Sequence, residues 1–504
     1  MDAINKETNE NGSTKGFNTT SSLEEFYAGS GILVTGVTGF LGKGLLEKLI
    51  RKFPRIAAIF ILIRPKTDET IEQRFKKLID DPIYDGIKAK NPSLFSRVYP
   101  VKGDVSLPDL GLSQEYRNML LEKVNIVFHA AATVRFNEPL HVAVNVNTSG
   151  TARVVELWNE LRHPISFVYV STAYSNANLQ EIEEKVYTTS LSPSEVIYMC
   201  DKFDKTSINQ IEERILKSFP NTYTFSKNLA EQIVARECKD LPVAIVRPSV
   251  IGAALKEPCP GWITNISAVT GTFLLIGKGC TTVIRGRRDT KLDVVPVDFV
   301  VDTIICTAWH VTLHRDREVK VYNCTANAYP FTFGPMVDSM VKCSIETPLN
   351  DMIWYPGCSV VANRYIFNVL SVIPRVLPAF AIDIFLRLRG SKPIMMKLLR
   401  NGNKLFTSFE FFTMNDWTFQ RDNCSDLARK VKMLHDSDMF KLDLEDMDWD
   451  KYAVIYLMGI RKFILKQEFQ STARQRLSRL YWIHQITKMS GIMTLLLIIY
   501  CIVY

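Results

Sequence analysis

No cysteine precedes Cys200 in this 504-residue chain, and none of the ten that follow stands in a C-x-x-C pair. Their spacing matches neither a zinc cluster nor a disulfide framework, and a reducing compartment is the simplest reading. Histidine is scarce too, at seven, and only His310 and His314 have a helical i,i+4 spacing. Without cysteine or carboxylate partners beside them they do not make a metal site, and no metal is expected. A long basic block is also missing. Lys and Arg number 61 against 53 Asp and Glu, a formal +8 spread along the chain, which suits an anionic ligand or a membrane surface and argues against nucleic acid as a partner.

The first 22 residues lack any apolar segment, so they carry no secretory signal and are expected to be disordered, with the rest of the chain facing the cytosol. The last apolar run, "GIMTLLLIIYCIVY" from Gly491 to Tyr504, is short of a full span. Fourteen helical residues reach about 21 Å, against a hydrocarbon layer of about 30 Å. The run is nevertheless apolar on every face and follows Arg474, Arg476, Arg479 and Lys488. A membrane anchor over 489–504, with Met489 and Ser490 drawn in and the basic residues left on the cytosolic side, is therefore expected. A second apolar stretch, 365–388, is broken by Pro374, Arg375, Pro378 and Asp383, and reads as a broken helical hairpin at a membrane surface or over a greasy pocket.

At 504 residues the chain is too long for one core, so two domains, or one domain with a large appendage, are expected. The first 300 residues alternate short apolar runs with helical patterns. "GILVTG" (31–36), "IAAIFILIR" (56–64), "VYPVKGDV" (98–105), "VNIVFHAAA" (124–132), "ISFVYVST" (165–172) and "PVAIVRPS" (242–249) read as buried strands of a parallel sheet covered on both faces. After the first of them, Gly36, Gly39 and Gly42 recur every third residue where a helix begins. Glycines there let backbone approach a pyrophosphate, and the amides of the helix N-terminus supply donors and a positive dipole end. The turn is read as a dinucleotide site.

An NAD site places an acid near the end of the second strand, about 20 residues past the turn. This chain has Ile63-Arg64-Pro65-Lys66 instead, two cations where a 2′-phosphate would sit, which favours NADPH. Tyr223 and Lys227 lie four apart on a helical pattern, and the hydroxyl pair Ser171-Thr172 ends the fifth strand. A phenol titrates near 10, and a neighbouring ammonium favours its phenolate, so Lys227 is expected to lower the Tyr223 pKa while it holds the nicotinamide ribose. A hydroxyl at the strand end would bond the carbonyl oxygen that gains charge as hydride arrives.

These motifs, with "IFILIRPK", "GDVSLPDLGLS", "VFHAAATVRFNEPL", "VNVNTSGT", "YTFSKNLAEQ", "VRPSVIGAALKEPCPGWITN" and "LDVVPVDFVVD", resemble the extended short-chain dehydrogenases/reductases. "FFTMNDWTFQRDN" and "MDWDKYAVIYLMGIRKFILK" resemble the second domain of one branch, the alcohol-forming fatty acyl-CoA reductases. The resemblance runs from about Leu23 to Gln467. It implies an α/β fold, a Rossmann-type doubly wound parallel sheet with a mainly helical C-terminal domain and a C-terminal membrane segment. The NADPH-binding extended short-chain dehydrogenase domain, with substrate-binding insertions, would cover 23–330 and the family's C-terminal domain 331–470.

The resemblance also implies roles. Tyr223 would donate the proton, Lys227 would activate it, Thr172, which directly precedes the small residue Ala173, would polarise the carbonyl, and Asn147 would hold the relay geometry. Thr38, Gly39, Phe40 and Leu41, with Gly36 and Gly42 shaping the turn, would meet the pyrophosphate. Arg64 would take the 2′-phosphate, Asp104 and Val105 the adenine region, Ala130, Ala131 and Ala132 the adenosine side, and Pro248 with Ser249 the nicotinamide edge. The implied reaction reduces a long-chain fatty acyl-CoA through its aldehyde to a primary alcohol with two NADPH, at a membrane facing the cytosol, of the endoplasmic reticulum or of peroxisomes. A membrane-bound hydroxysteroid or sugar-nucleotide dehydrogenase shares the turn and the Tyr-Lys pair but not the C-terminal motifs. A silent NADPH sensor would not need the pair.

Overall fold

In the computed structural model the described residues are 22–503 without 239–240, 267, 314–317, 327–330, 372–376, 394, 446 and 469. The N-terminal segment expected to be disordered and His314 lie outside them, apart from Ser22. That serine caps the short helix Leu23–Tyr27, its hydroxyl accepting from the Glu25 amide.

All six expected strands form, as β1 (Gly31–Thr35), β2 (Ala58–Ile63), β3 (Val98–Lys102), β4 (Ile126–His129), β5 (Ser166–Val170) and β6 (Val243–Pro248). A seventh, β7 (Lys320–Cys324), was not foreseen; only Val321 and Tyr322 at its centre break its polar reading. The sheet order is β7-β6-β5-β4-β1-β2-β3 and every pair is parallel. The order reverses between β1 and β4, and at such a switch point the strand ends leave a crevice for a ligand.

Alternate side chains of each strand feed two cores. Leu33, Phe60, Val127, Phe167 and Ile245 pack on one face against Val154, Trp158 and Val234. Ile32, Ile61, Phe128, Val168 and Val246 face a larger core that holds Leu45, Leu49, Val300 and Ile304. These come from α1 (Phe40–Lys52), α2 (Gly150–Glu160), α3 (Thr222–Glu237) and α4 (Val297–His310), which cover the sheet on both faces as buried parallel strands require.

The C-terminal part is mainly helical, as expected, but it is not a separate core. The larger core continues into Leu427, Tyr452, Tyr456 and Ile460. Backbone contact is close enough that a Cβ on Gly459 would fall 1.8 Å from the Gly261 carbonyl oxygen. Trp417 donates through Nε1 to the Ala177 carbonyl at 3.1 Å, and Thr418–Phe419 pairs in parallel with Glu181–Ile182.

The broken apolar stretch folds as α5 (Arg364–Ser371) and α6 (Leu377–Leu388), followed by α7 (Met395–Met414). The apolar tail is the end of one long helix, α8 (Thr472–Val503), whose first half is polar. Among the described residues no helix is long and apolar enough to cross a membrane, which corrects the expectation of a transmembrane segment. The reason is length: the uncharged run is too short, and the turns before it carry Arg479 and Lys488.

Candidate active site

β1 delivers its chain into a tight turn at Gly36, where φ is +73°. A Cβ there would lie 2.6 Å from the Ala130 carbonyl carbon and the Ala131 nitrogen, so the turn can press against the end of β4 only as glycine. Gly42 is as constrained, its would-be Cβ falling 2.3 Å from the Gly36 carbonyl oxygen. Gly39 caps α1 without any side-chain hydrogen bond, and the first turn holds no acid. The leading amides of α1 therefore lack an internal acceptor and carry the positive end of the helix dipole.

This turn opens onto a cavity of about 940 Å³. Gly36, Thr38, Gly39, Phe40, Leu41 and Gly42 line one end of it, with Arg64, Asp104, Val105 and Ala130 to Ala132 alongside and Thr172, Tyr223, Lys227, Pro248 and Ser249 further in. Asn147 is not among the lining residues. It is buried behind the wall, where Oδ1 accepts from the Thr133 amide at 2.9 Å and Nδ2 donates to the Thr133 carbonyl and, at 3.0 Å, to Ser226 Oγ. From there it ties the strand end after β4 to the helix that carries Tyr223.

That helix, α3, is started by Asn221, whose side chain accepts from the Thr224 amide at 2.9 Å. Tyr223, Lys227 and Glu231 follow at i, i+4 and i+8 on one face. Glu231 and Arg247 form a fully buried pair at 2.6 Å, and Ser171 Oγ donates to the same carboxylate at 2.5 Å. Ser171 is thus occupied with structure. Thr172, one residue on, lines the cavity with Tyr223 and acts on its titration, which separates the two neighbouring hydroxyls.

Burial governs the titration of the pair. It pushes the Tyr223 phenol up to about 12, against the Thr172 hydroxyl, which pulls it down. Burial also lowers Lys227 to about 7, with Glu231 acting the other way. The expected lowering of the phenol by the ammonium is therefore not what this cavity does. Lys227 Nζ donates instead to the Val170 carbonyl at 2.7 Å and lies 4.7 Å over the Tyr169 ring. Beneath it His129, held between Thr35 Oγ1 at 2.7 Å and Thr151 Oγ1 at 3.1 Å, is kept neutral, its pKa lowered to about 3 by burial and by Lys227.

Three features had no sequence signal. Arg74 joins Arg64 at the cavity and donates to the Arg64 carbonyl. Phe136 stacks on Tyr223 with ring centres 5.8 Å apart. Phe409 and Phe412 of α7 close on Phe136 at 5.3 and 5.4 Å, bringing the C-terminal helices to the cavity. "FEFFTM" marks an aromatic cluster in sequence, but nothing there says which wall it faces. The glycine-only turn, the open helix end and the adjoining cations fit a dinucleotide, and the Tyr-Lys pair with a hydroxyl fits carbonyl chemistry at its far end.

A Rossmann sheet with such a cavity at its switch point defines a nucleotide-dependent oxidoreductase scaffold. Two family models, both described as "Male sterility protein", match the chain, an NAD-binding one over residues 34–304 and a second over 375–467. Fatty acyl-CoA reductase 1 of Mus musculus is 35% identical over 462 residues, covering 91% of this chain and 90% of that protein. Fatty acyl-CoA reductase 2 of Homo sapiens is 33% identical over 467 residues, covering 92% and 90%. The chain belongs to the fatty acyl-CoA reductase family and is an oxidoreductase with a nicotinamide-nucleotide fold. The same fold is found in the terminal R domain of the myxalamid pathway, at a TM-score of 0.58 and 21% identity, covering 86% of this chain and 91% of that one.

Proposed function

We propose that the protein reduces long-chain fatty acyl-CoA to primary fatty alcohol and free CoA, through the aldehyde, with two NADPH. The observation that carries this reading is one cavity lined by the glycine turn, by Thr172 with Tyr223 and by the aromatic wall of α7. NADPH, when bound, supplies the hydride. The amides leading α1 hold its pyrophosphate, and Arg64 with Arg74 holds the 2′-phosphate that distinguishes it from NADH.

The thioester carbonyl oxygen sits against Thr172 and Tyr223. As hydride reaches the carbonyl carbon, Thr172 bonds the growing oxyanion and Tyr223 gives it a proton, forming a hemithioacetal. The carbon–sulfur bond would then break, the hydroxyl proton passing to the departing sulfur, so that CoA leaves as the thiol and an aldehyde remains. Once Tyr223 has regained a proton from solvent and a fresh NADPH has replaced the spent cofactor, the same two residues would serve the aldehyde and yield the alcohol. Lys227 orients the nicotinamide ribose beside Tyr223, and Asn147 fixes the helix that carries both. No cysteine nucleophile is used.

The apolar end of α8, residues 489–503, is proposed to insert into the near side of a bilayer, on the cytosolic face of the endoplasmic reticulum or of peroxisomes, which imaging of a tagged full chain distinguishes. The activity test is incubation of detergent-solubilised protein with NADPH and a series of acyl-CoAs, with a sterol and a UDP-sugar as controls. Alcohol and CoA in equimolar amounts, with two NADPH oxidised per alcohol, are expected. Turnover of a control alone would overturn the reading.

A further inference from the structure

We propose that α5 and α6 carry a docking surface for an anionic lipid bilayer, distinct from the tail of α8. Tyr365, Ile366 and Val369 lie on one face of α5, and Phe380, Ile384 and Leu388 recur at i, i+4 and i+8 along α6. Each is exposed, Tyr365 and Leu388 at 82%. Large apolar side chains repeated along an exposed helix face are the pattern of a helix that lies in a membrane interface.

Charge selects the occupant. Between 362 and 401 the sequence has seven Lys and Arg and a single acid, Asp383. Arg364, Arg387, Arg389, Lys392, Lys397 and Arg400 are exposed, whereas Asp383 is buried at 6% and accepts from the Met396 amide at 2.9 Å. Arg375 lies outside the described residues. Among the described residues of this segment the surface therefore presents no anion. A second copy would bring like charge against like charge, while apolar side chains ringed by cations match acyl chains beneath anionic headgroups. Arg389 lies with its guanidinium 4.5 Å from the Phe385 ring centre, an arrangement suited to the headgroup boundary.

α6 is continuous with the active site. α6 packs on α7, the Asp383 bond fixes the start of α7, and the same helix carries Ser408, Phe409 and Phe412 into the cavity. Met396 and Phe412 are sixteen residues apart, about 24 Å along a helix, which is the scale of an extended long acyl chain. Resting on the acyl-CoA reading for this step alone, the docked face delivers the lipid-dissolved chain along α7 to Tyr223.

Hydrogen exchange of the full chain tests the docking without substrate. With phosphatidylcholine vesicles containing phosphatidylserine, peptides over 364–371 and 377–388 should exchange at least tenfold more slowly than with phosphatidylcholine alone. The variant Arg387→Glu/Arg389→Glu/Lys392→Glu, altered only at exposed positions, should lose that protection while peptides over 489–503 keep theirs. Its KM for a long-chain acyl-CoA supplied in vesicles should rise at least threefold, with kcat for a short soluble acyl-CoA unchanged. No vesicle-dependent protection, or protection that instead grows with protein concentration in the absence of lipid, overturns the proposal. If no acyl-CoA is reduced by either protein yet the exchange pattern holds, the docking stands and the acyl-CoA reading fails.

Discussion

Adding one methyl group at Gly39 or at Gly42 should separate cofactor binding from folding. At Gly42 the new Cβ would lie 2.3 Å from the Gly36 carbonyl oxygen, 2.7 Å from Val37 Cα and 2.9 Å from the Gly36 carbonyl carbon. All three are backbone atoms, so no side chain can yield and the turn must open by about an ångström. Overpacking of this kind costs about 1–3 kcal/mol, which at about 2 °C per kcal/mol lowers the melting midpoint by about 2–6 °C. At Gly39 the only neighbour within 4 Å is the Gly36 carbonyl oxygen at 3.2 Å, and φ −79° with ψ 170° suits any residue. Gly39→Ala should therefore cost about 1 kcal/mol, from a poorer N-cap and a slightly tight contact, less than Gly42→Ala. Its methyl would stand in the cavity where the pyrophosphate is proposed to lie, and a loss of tenfold or more in NADPH affinity, about 1.4 kcal/mol, is expected. Differential scanning fluorimetry and fluorescence titration with NADPH read the two quantities. NADPH bound by Gly39→Ala as tightly as by wild type would refute the assignment of this turn to the pyrophosphate, and a wild-type midpoint in Gly42→Ala would refute the packing argument.

Tyr223→Phe and Lys227→Ala should each lower alcohol formation by 10²-fold or more with the fold intact by circular dichroism, and a tenth of wild-type activity in the Tyr223 variant would sink the assignment. Thr172→Val should cost 10²-fold or more in kcat with little change in melting, whereas Ser171→Ala should cost stability first, because it removes a donor to the buried Glu231 carboxylate; the reverse order in kcat and melting would exchange their roles. Arg64→Glu should raise the KM for NADPH at least tenfold and relax preference toward NADH, and steady-state kinetics with both cofactors would move the 2′-phosphate site elsewhere if preference were unchanged. Deleting 489–504 should leave the protein in the membrane pellet at low salt and release most of it after a high-salt wash, because attachment through α5 and α6 then depends on their cations as well as on their apolar side chains; a truncated, folded chain that resists the wash would place the anchor outside the tail.

How much of this was legible depended on whether a signal was local. Five of the six expected strands are continuous apolar runs buried along nearly their whole length, which leaves little other arrangement for them, and β3, at the sheet edge with Tyr99 and Lys102 exposed, has the weakest such signal. The glycine turn was legible because its constraint is carried by glycine itself. β7 was missed because its centre is only two apolar residues wide and its identity comes from pairing with β6 residues 76 positions earlier in the sequence. Arg74 and the α7 aromatics reach the cavity through tertiary packing, which has no period. Asn147 was found as a residue but not as a place: the resemblance pointed to it, and only the fold shows that it acts on backbone behind the wall. The tail failed as a transmembrane segment for the reason already visible in its length, since composition had been weighed above reach.

The titration of the Tyr-Lys pair bears on the direction of the proposed chemistry. An acidified tyrosine, the sequence expectation, would suit the oxidation of an alcohol, where the phenolate removes a proton. Here burial holds the phenol at about 12 and Lys227 at about 7, so near neutral pH Tyr223 carries its proton. The oxyanion formed by hydride addition to the aldehyde would be a simple alkoxide, a stronger base than the phenolate, so a phenol held at about 12 would still give it a proton without prior ionisation. The wall of Phe136, Phe409 and Phe412 would keep the dielectric low around the same hydroxyl and strengthen hydrogen bonds to that oxyanion. In the proposed reaction the aromatic surface that accepts an acyl chain thus also sets the surroundings of the proton donor, and the C-terminal helices bear on the chemistry as well as on the choice of substrate.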